Sequence, residues 1–236
     1  MKNSGILYLI PTTLGNNNTD KVIPQYNYSI IDSLEEFIVE ELRSARRFLR
    51  KANYKKDFDK VIFNVLNEHT RPEESVYYLE SLKIGKNVGL LSEAGVPCVA
   101  DPGAEIVKRA HKYNIRVIPL TGPSSIILSL MASGFNGQNF AFVGYLPIKE
   151  NERIKKIKEL ENLSFTKNQT QVFIETPYRN TQVFNTLIKV CSNKTQVCIA
   201  SNLTLENEYI ATKSIFEWKK LKPEIHKKPT VFLISA

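Results

Sequence analysis

The chain has 236 residues, of which 42% are hydrophobic, so it can bury a sizeable core in one large domain or two modest ones. Lysine and arginine outnumber aspartate and glutamate by 32 to 24, and the net charge of +8 suits a polyanionic partner such as nucleic acid. Moderate basicity alone would equally serve solubility. Because no apolar run approaches a membrane span and the three cysteines lack the spacing of a metal site or disulfide framework, we expect a soluble, cytoplasmic protein.

The first half alternates predicted strands and helices. A short apolar strand over residues 5–11 precedes a polar loop over residues 12–20. From Leu34 onward apolar residues recur at helical intervals, although residues 37–39 would also suit a brief strand. Further strands are predicted over residues 61–66, 88–91 and 115–120, and helices over residues 73–82 and 104–113. This alternation is typical of a parallel α/β sheet.

Turn residues interrupt the pattern near residue 120, so we predict two domains, residues 1–120 and 121–236. The second half opens with a small apolar helix over residues 124–132, and a basic amphipathic helix is predicted over residues 151–163. Strands are predicted over residues 140–143, 171–175, 196–201 and 230–235, with a helix over residues 180–190. The pattern therefore predicts that both halves are α/β domains.

Several common site motifs are missing from the sequence. A dinucleotide site needs Gly-x-Gly-x-x-Gly after the first strand, and a nucleoside-triphosphate site needs a glycine-rich loop ending in Gly-Lys-Ser/Thr; neither is present. The Gly-x-Ser-x-Gly turn of a serine hydrolase is also missing, and the three histidines lack zinc-site spacing. These absences disfavour dehydrogenases, nucleotide hydrolases and metal hydrolases.

Two turns rich in small residues follow the predicted strands at 88–91 and 115–120. The first reads Ser-Glu-Ala-Gly-Val-Pro over residues 92–97, with Ala-Asp-Pro-Gly over residues 100–103, and the second reads Thr-Gly-Pro-Ser-Ser over residues 121–125. Small residues let a ligand approach the backbone closely, and open α/β sheets bind ligands where their strands end. The sequence therefore predicts a small-molecule cleft at these turns.

The same segments carry a resemblance that covers nearly the whole chain. In their order and spacing, the two turns together with Ala-Ser-Gly-Phe from Ala132 and Gly-Tyr-Leu-Pro from Gly144 are similar to the tetrapyrrole methylase superfamily. Within it, the chain most resembles the ribosomal RNA small-subunit ribose 2'-O-methyltransferases. The matching segments are Leu-Tyr-Leu-Ile-Pro-Thr from Leu7, Asn-Glu-His from Asn67 and Ile-Glu-Thr-Pro-Tyr-Arg from Ile174.

This resemblance implies an S-adenosylmethionine-dependent methyltransferase that acts on ribosomal RNA or the small ribosomal subunit. It also implies two α/β domains with the cofactor in the cleft between them, usually in a homodimer. From the spacing of Cys and His and the short apolar runs, we expect no metal and no membrane contact. Taken singly each glycine suits an ordinary turn, but jointly they favour a cleft. Carried onto this sequence, the cofactor-binding residues are Pro11, Ser92, Glu93, Ala94, Gly95, Val99, Ser124, Ser125, Glu175, Leu203 and Thr204.

Methyl transfer to a ribose hydroxyl requires a group that accepts the proton of that hydroxyl. Glu40 and Glu93 are the candidate catalytic residues, with Glu41 and Asp101 as further carboxylates near the resembled motifs. We expect Asp101 to cap the helix that begins after Pro102 rather than to take part in catalysis.

Two basic helices offer contacts to RNA phosphates, although charge runs are as often solvated faces. The first carries Arg43, Arg46, Arg47 and Arg50, and the second carries Arg153, Lys155, Lys156 and Lys158. The resembled group has an acidic-Thr-Arg element where this chain has Glu-Glu-Leu-Arg over residues 40–43, and Arg-Glu-Leu-Thr where it has Ser-Asn-Leu-Thr over residues 201–204. A methylase of a tetrapyrrole or other small acceptor, and a non-catalytic RNA-binding relative, therefore remain as alternatives.

Overall fold

A computed structural model describes residues 4–15, 18–67, 69–71 and 74–236 of the chain, so predictions that fall on Asn16, Asn17, Glu68 or Glu73 lie outside the described residues. The chain divides into unit 1, Met1–Ser124, and unit 2, Ser125–Ala236. Each unit contains a five-stranded sheet with helices packed against it. Among the described helices, none combines the length and apolar character needed to cross a membrane.

The sheet of unit 1 is parallel throughout. Its strands are β1 (Ile6–Ile10), β2 (Glu36–Val39), β3 (Ile62–Val65), β4 (Val88–Leu91) and β5 (Arg116–Pro119), and they pair in the order β3-β2-β4-β1-β5. The central strands β2 and β4 are buried along their whole length, because helices cover both faces of the sheet. All carboxyl ends of these strands lie at one edge.

The helices of unit 1 cover opposite faces of this sheet. They are α1 (Gln25–Ser33), α2 (Leu42–Lys51), α3 (Glu74–Tyr77), α4 (Glu80–Lys83) and α5 (Gly103–Lys112). Helices α1 and α2 pack with Ile10 and Phe37 in one apolar cluster, whereas α4 and α5 pack with Leu7 and Leu90 in another. Alternate residues of the strands thus pack into two apolar cores, one on each face of the sheet.

Unit 2 has a mixed sheet. Its elements in chain order are α6 (Ser125–Ser133), β6 (Phe140–Tyr145), α7 (Glu150–Lys167), β7 (Thr170–Ile174), α8 (Asn180–Val190), β8 (Gln196–Ser201), β9 (Tyr209–Ser214), α9 (Ile215–Trp218) and β10 (Thr230–Ser235). The strand order is β6-β7-β10-β8-β9, in which β6 and β7 are parallel and β10 is antiparallel to both β7 and β8. The carboxyl ends of β7 and β8 therefore lie at one edge, beside the amino end of β10.

Two predicted elements need correction, and helix α1 is an element that the sequence pattern does not predict. The helix predicted from Leu34 is wrong up to residue 41, and the alternative of a strand over residues 37–39 is confirmed, because Glu36–Val39 forms strand β2 and the helix begins at Leu42. The predicted helix over residues 73–82 is replaced in its described part by the two short helices α3 and α4. Helix α1 was not predicted, because its buried face includes the polar Asn27, whose Nδ2 donates a 2.9 Å hydrogen bond to the Thr121 carbonyl.

Gly89 in β4 lies where the core has no room for a side chain. A Cβ at this position would lie 2.7 Å from Ile10 Cδ1 and 2.8 Å from Phe37 Cδ1, so Gly89→Ala forces core side chains to move. We expect this substitution to lower the free energy of unfolding, measured in urea, by about 1–3 kcal/mol. Gly137→Ala is the control, since its Cβ would meet no described atom within 4 Å. Equal destabilisation by both substitutions would contradict the prediction.

Candidate functional site

The sheet of unit 1 changes winding direction between β1 and β4. These strands are neighbours, but the connection from β1 runs through α1 to β2 on one side, and the connection from β4 runs through α5 to β5 on the other. Because α1 and α5 cover opposite faces, the loops that leave the two strands diverge. Such a switch point opens a crevice at the carboxyl edge of a parallel sheet, where small molecules bind.

Hydrogen bonds join the two loops at this point. The Thr12 backbone N–H donates to the Gly95 carbonyl at 2.9 Å, and the Ser92 hydroxyl donates to the same carbonyl at 2.7 Å. The Thr12 hydroxyl donates to the Ser92 carbonyl at 3.4 Å. Because the Ser92 hydroxyl is engaged inside the loop and Ser92 is buried, the neighbouring exposed residues Glu93 and Ala94 form the accessible part of the turn.

Close packing explains the two glycines of these turns. Gly95 has a φ of +77°, and a Cβ there would lie 2.9 Å from Leu14 Cδ2 and 3.1 Å from the Pro123 carbonyl oxygen. A Cβ on Gly122 would lie 2.3 Å from both Cβ and Cγ of Pro11. The loops after β1, β4 and β5 therefore approach one another to within van der Waals contact, which substitution of either glycine would disrupt.

An open recess lies between these loops and α2. One wall is residues 12–15 and another is residues 92–94. The helix supplies Ser44, Arg47, Phe48 and Lys51. Sequence reasoning did not single out Thr12 or Lys51 for this recess. Thr12 could have been identified from its position, because it directly follows the predicted first strand and Pro11.

Carboxylates gather at a second recess on the same sheet edge. Glu40 follows β2, and it lines this recess together with Glu41, Asn67, His69, Glu93, Ala100, Asp101 and Pro102. Partial burial raises the pKa of the Glu40 carboxyl, and the negative charges of Glu93 and Asp101 raise it further. The Glu93 backbone N–H donates to Glu40 and opposes these effects. The structure thus brings the two predicted catalytic candidates together.

Asp101 organises the start of α5, in agreement with its predicted role. Its carboxylate accepts hydrogen bonds from the backbone N–H of Gly103 at 2.8 Å and from that of Cys98 at 2.9 Å. Burial raises the pKa of this carboxyl even though both hydrogen bonds lower it. Cys98 and Ala100 have positive φ angles of 69° and 64°, so these bonds hold the loop in a conformation that side chains disfavour.

The four predicted phosphate-binding arginines of α2 have different surroundings. Arg47 is exposed and lines the recess beside residues 12–15, and Arg43 is exposed in the first turn of α2. The Arg46 guanidinium lies 5.3 Å from the Phe63 ring centroid, and the Arg50 guanidinium lies 5.2 Å from that of Phe58. Arg46 and Arg50 therefore pack on aromatic rings as well as carrying positive charge.

Unit 2 contains four further predicted cofactor residues, three of which follow strands at one edge of its sheet. Glu175 follows β7 and is buried; it accepts a 2.9 Å hydrogen bond from the Thr176 N–H, and its Oε2 lies 3.0 Å from Arg179 Nη2. Leu203 is buried after β8, and Thr204 has a φ of +70°. Ser125 begins α6, whereas Ser124 and the exposed Val99 belong to unit 1.

The second predicted phosphate-binding helix requires a correction. Arg153 of α7 is buried, its Nη1 donates to the Ile148 carbonyl at 2.7 Å and its Nε donates to the Thr186 hydroxyl at 3.2 Å. Its predicted phosphate contact is therefore wrong, because the guanidinium holds the start of α7 to α8. Lys155 and Lys158 are exposed, whereas Lys156 pairs with Glu159 at 2.7 Å.

The model of the family of Tetrapyrrole (Corrin/Porphyrin) Methylases matches residues 27–218 of the chain. The chain belongs to the tetrapyrrole methylase family. Its curated relatives include the ribosomal RNA small subunit methyltransferase I of Vibrio cholerae, which is 30% identical over 87% of this chain and 67% of its own length. The enzyme of the same name from Buchnera aphidicola subsp. Schizaphis graminum is 29% identical over 99% of this chain and 79% of its own length.

Solved structures show the same architecture. The methyltransferase CobJ matches with a TM-score of 0.64 and 15% identity, over 98% of this chain and 94% of its own. A uroporphyrin III C-methyl transferase from Thermus thermophilus matches with a TM-score of 0.60 and 14% identity, over 98% of this chain and 97% of its own. The predicted fold of two α/β domains and the predicted methyltransferase activity are confirmed.

Glu40 is expected to destabilise the fold when it is charged. Since its pKa is raised, the folded protein holds the Glu40 proton more tightly than the unfolded chain does, and stability falls as pH rises through that pKa. After allowance for solvent screening, we expect Glu40→Gln to raise the melting temperature at pH 8 by roughly 1–2 °C. The gain should shrink as the pH is lowered and wild-type Glu40 becomes protonated.

The matched control is Glu105→Gln, which removes an exposed carboxylate that pairs with Arg109 at 3.2 Å. We expect it to leave the melting temperature unchanged or slightly lower at each pH. A lower melting temperature for Glu40→Gln than for wild type at pH 8 would contradict the prediction that ionised Glu40 destabilises the fold.

Proposed function

We propose that this chain methylates small-subunit ribosomal RNA, with S-adenosylmethionine as the methyl donor and a ribose 2'-hydroxyl as the acceptor. The observation that carries the proposal is the unit 1 crevice with its joined loops, beside which lies the recess that holds the partly buried Glu40 carboxylate; Glu93 lines both. The names of the Vibrio cholerae and Buchnera aphidicola relatives support the RNA substrate. The same proposal includes a homodimer acting in the cytoplasm.

The chemistry of the crevice suits this cofactor. S-adenosylmethionine supplies, when bound, a methyl group on a positively charged sulfur, and the carboxylates of Glu40, Glu93 and Asp101 would favour a cation nearby. The exposed Glu93 and Ala94 leave room beside the turn, whereas Gly95 permits the close approach of three loops. Within the described residues, no group of three or more His, Cys, Asp or Glu side chains could hold a metal ion.

We assign distinct roles to the residues around the crevice. Pro11 and the Thr12–Gly95 hydrogen bond would fix the loop backbones against which the cofactor rests, and residues 92–95 would supply backbone partners. The remaining predicted cofactor contacts are part of the same proposal: Val99, Ser124, Ser125, Glu175, Leu203 and Thr204. Of these, Glu175 would act as an oriented carboxylate, since Arg179 and the Thr176 N–H hold its side chain.

Glu40 is our choice for the group that accepts the proton of the acceptor hydroxyl. A base with a raised pKa binds that proton more strongly than an ordinary glutamate, provided that it is ionised at the working pH. Glu93 is exposed and would instead hold Glu40 in place through its backbone N–H. In this proposal Glu40, which is partly buried, accepts the proton, whereas the exposed Glu93 positions it.

Helix α2 would hold phosphates of the RNA. Arg43, Arg47 and Lys51 are spaced four residues apart and therefore follow one stripe of the helix, which borders the recess at Arg47 and Lys51. Arg50 adds a further exposed cation, and Arg46 remains a predicted contact although its guanidinium packs on Phe63. Lysine and arginine bind phosphates without reading base sequence, so these residues would orient the RNA.

The proposal is tested with the purified protein, small ribosomal subunits from a strain lacking the gene, and S-adenosylmethionine. Digestion of the RNA to nucleosides followed by mass spectrometry should show one ribose-methylated nucleoside that is missing without the protein. Methylation on a base would preserve the rRNA substrate and refute the ribose acceptor. If the subunits gain no methyl group while a tetrapyrrole such as uroporphyrinogen does, the RNA assignment fails.

Glu40→Gln should lower kcat by about 100-fold or more with little change in KM, because the glutamine cannot take up the proton. In wild type, kcat/KM should fall as pH drops through the raised pKa of Glu40, and this acidic limb should be absent from the variant. Glu105→Gln, which changes an exposed carboxylate on α5, should retain wild-type kinetics. A variant with an unchanged rate and pH profile would exclude Glu40 as the base.

A further inference from the structure

Unit 2 carries an exposed aromatic and basic surface to which the proposed reaction assigns no role. The Tyr178 side chain is 71% exposed. The His226 ring centroid lies 6.4 Å from the Tyr178 ring centroid, with the ring planes at 81°, and Lys227 Nζ lies 5.7 Å from the same centroid. We call Tyr178, His226 and Lys227 the Tyr178 platform. Large exposed aromatic rings that hold cations beside them are typical of ligand-binding surfaces.

The platform is built rigidly, although its side chains are exposed. The Lys227 N–H donates to the Pro177 carbonyl at 3.0 Å. The buried Asn180 donates through Nδ2 to the carbonyls of Lys228 at 2.7 Å and Ile225 at 3.0 Å. Lys227 itself has a φ of +58°, a conformation that costs free energy for a residue with a side chain. These bonds hold the two loops together and keep the lysine beside the tyrosine.

The position of the platform connects it to the predicted site residues of unit 2. Tyr178 follows β7, three residues after Glu175, and His226 and Lys227 precede β10. Since β10 runs antiparallel to β7, the end of one strand and the start of the other meet at the same sheet edge. The platform therefore lies on the edge that also carries residues 202–204 after β8.

The charge around the platform is positive. Residues 219–228 contain five lysines and a single glutamate, Glu224, which lies 3.8 Å from Lys228. Lys220 Nζ lies 4.3 Å from the ring centroid of the exposed Phe216, a second pairing of a lysine with an aromatic ring in this segment. Aromatic rings next to lysines on an accessible edge match the chemistry of single-stranded nucleic acid, in which bases stack and phosphates pair with cations.

We propose that the Tyr178 platform binds single-stranded RNA, with one base stacked on the Tyr178 ring and the adjacent phosphate held by Lys227. This inference deepens the proposed function and rests on it, because it identifies unpaired RNA as the form of substrate that unit 2 holds. Stacking on a ring does not depend on base identity, so the platform positions the strand, and sequence selection lies elsewhere. A duplex, whose bases are already stacked, would gain little from Tyr178.

The test measures binding of a short fluorescein-labelled oligouridylate by fluorescence anisotropy, with Tyr178→Ala and Tyr178→Phe in the full-length protein. Tyr178→Ala should weaken binding about tenfold, whereas Tyr178→Phe keeps the ring and should bind like wild type. Lys227→Gln should weaken binding and reduce the dependence of log Kd on log salt concentration by about 0.7. Phe165→Ala, which removes another exposed aromatic ring of unit 2, is the control and should bind like wild type.

Two further measurements separate this inference from the proposed function. Tyr178→Ala should bind S-adenosylmethionine like wild type in calorimetry and should methylate small ribosomal subunits with a raised KM. Unchanged oligouridylate binding by Tyr178→Ala would overturn the platform, even if wild type methylates rRNA. Weakened binding in a protein whose wild type methylates no RNA would support the platform and refute the proposed reaction. Equal loss by Phe165→Ala would also overturn the specific role of Tyr178.

Discussion

The hydrogen bond from the Thr12 N–H to the Gly95 carbonyl joins the two loops that leave β1 and β4 in opposite directions. The helices that follow these loops pack on opposite faces of the sheet, so the bond links the two sides of the switch-point crevice. Ser92 donates to the same carbonyl, and Gly95 allows Leu14 and Pro123 to approach. The junction also fixes the loop that carries Glu93, which lines both recesses of the sheet edge.

The rim of the crevice concentrates charge that the fold disfavours. Glu40 and Asp101 both have raised pKa values because burial penalises their ionised forms, and Glu93 adds negative charge beside Glu40. Part of this charge is structural, because Asp101 accepts hydrogen bonds from the Cys98 and Gly103 N–H groups at the start of α5. The charge of Glu40 suits the proton acceptor beside a cationic ligand that we propose.

Two surfaces of the chain suit RNA for different physical reasons. The α2 stripe offers exposed cations, whose attraction to phosphates is independent of strand structure and weakens with salt. The Tyr178 platform adds an exposed ring held beside Lys227, which favours unpaired bases. A basic residue in a helix is not always available to RNA. The Arg153 guanidinium is buried and donates to a backbone carbonyl inside unit 2.

The sequence by itself determined the α/β class, most strands and the turns at residues 92–95 and 121–125, because buried strands and small-residue turns leave local patterns. Tertiary structure decided what local patterns cannot encode. At residues 37–39 the sequence left helix and strand open, and the sheet decided for the strand by supplying pairing partners on both sides. The sequence pattern does not show α1, because its buried face includes an asparagine whose partner lies far along the chain. The meeting of Glu40, Glu93 and Asp101 follows from strand order, and so does that of Tyr178 with Lys227. Both depend on contacts between segments that are distant in sequence, which only the folded chain brings together.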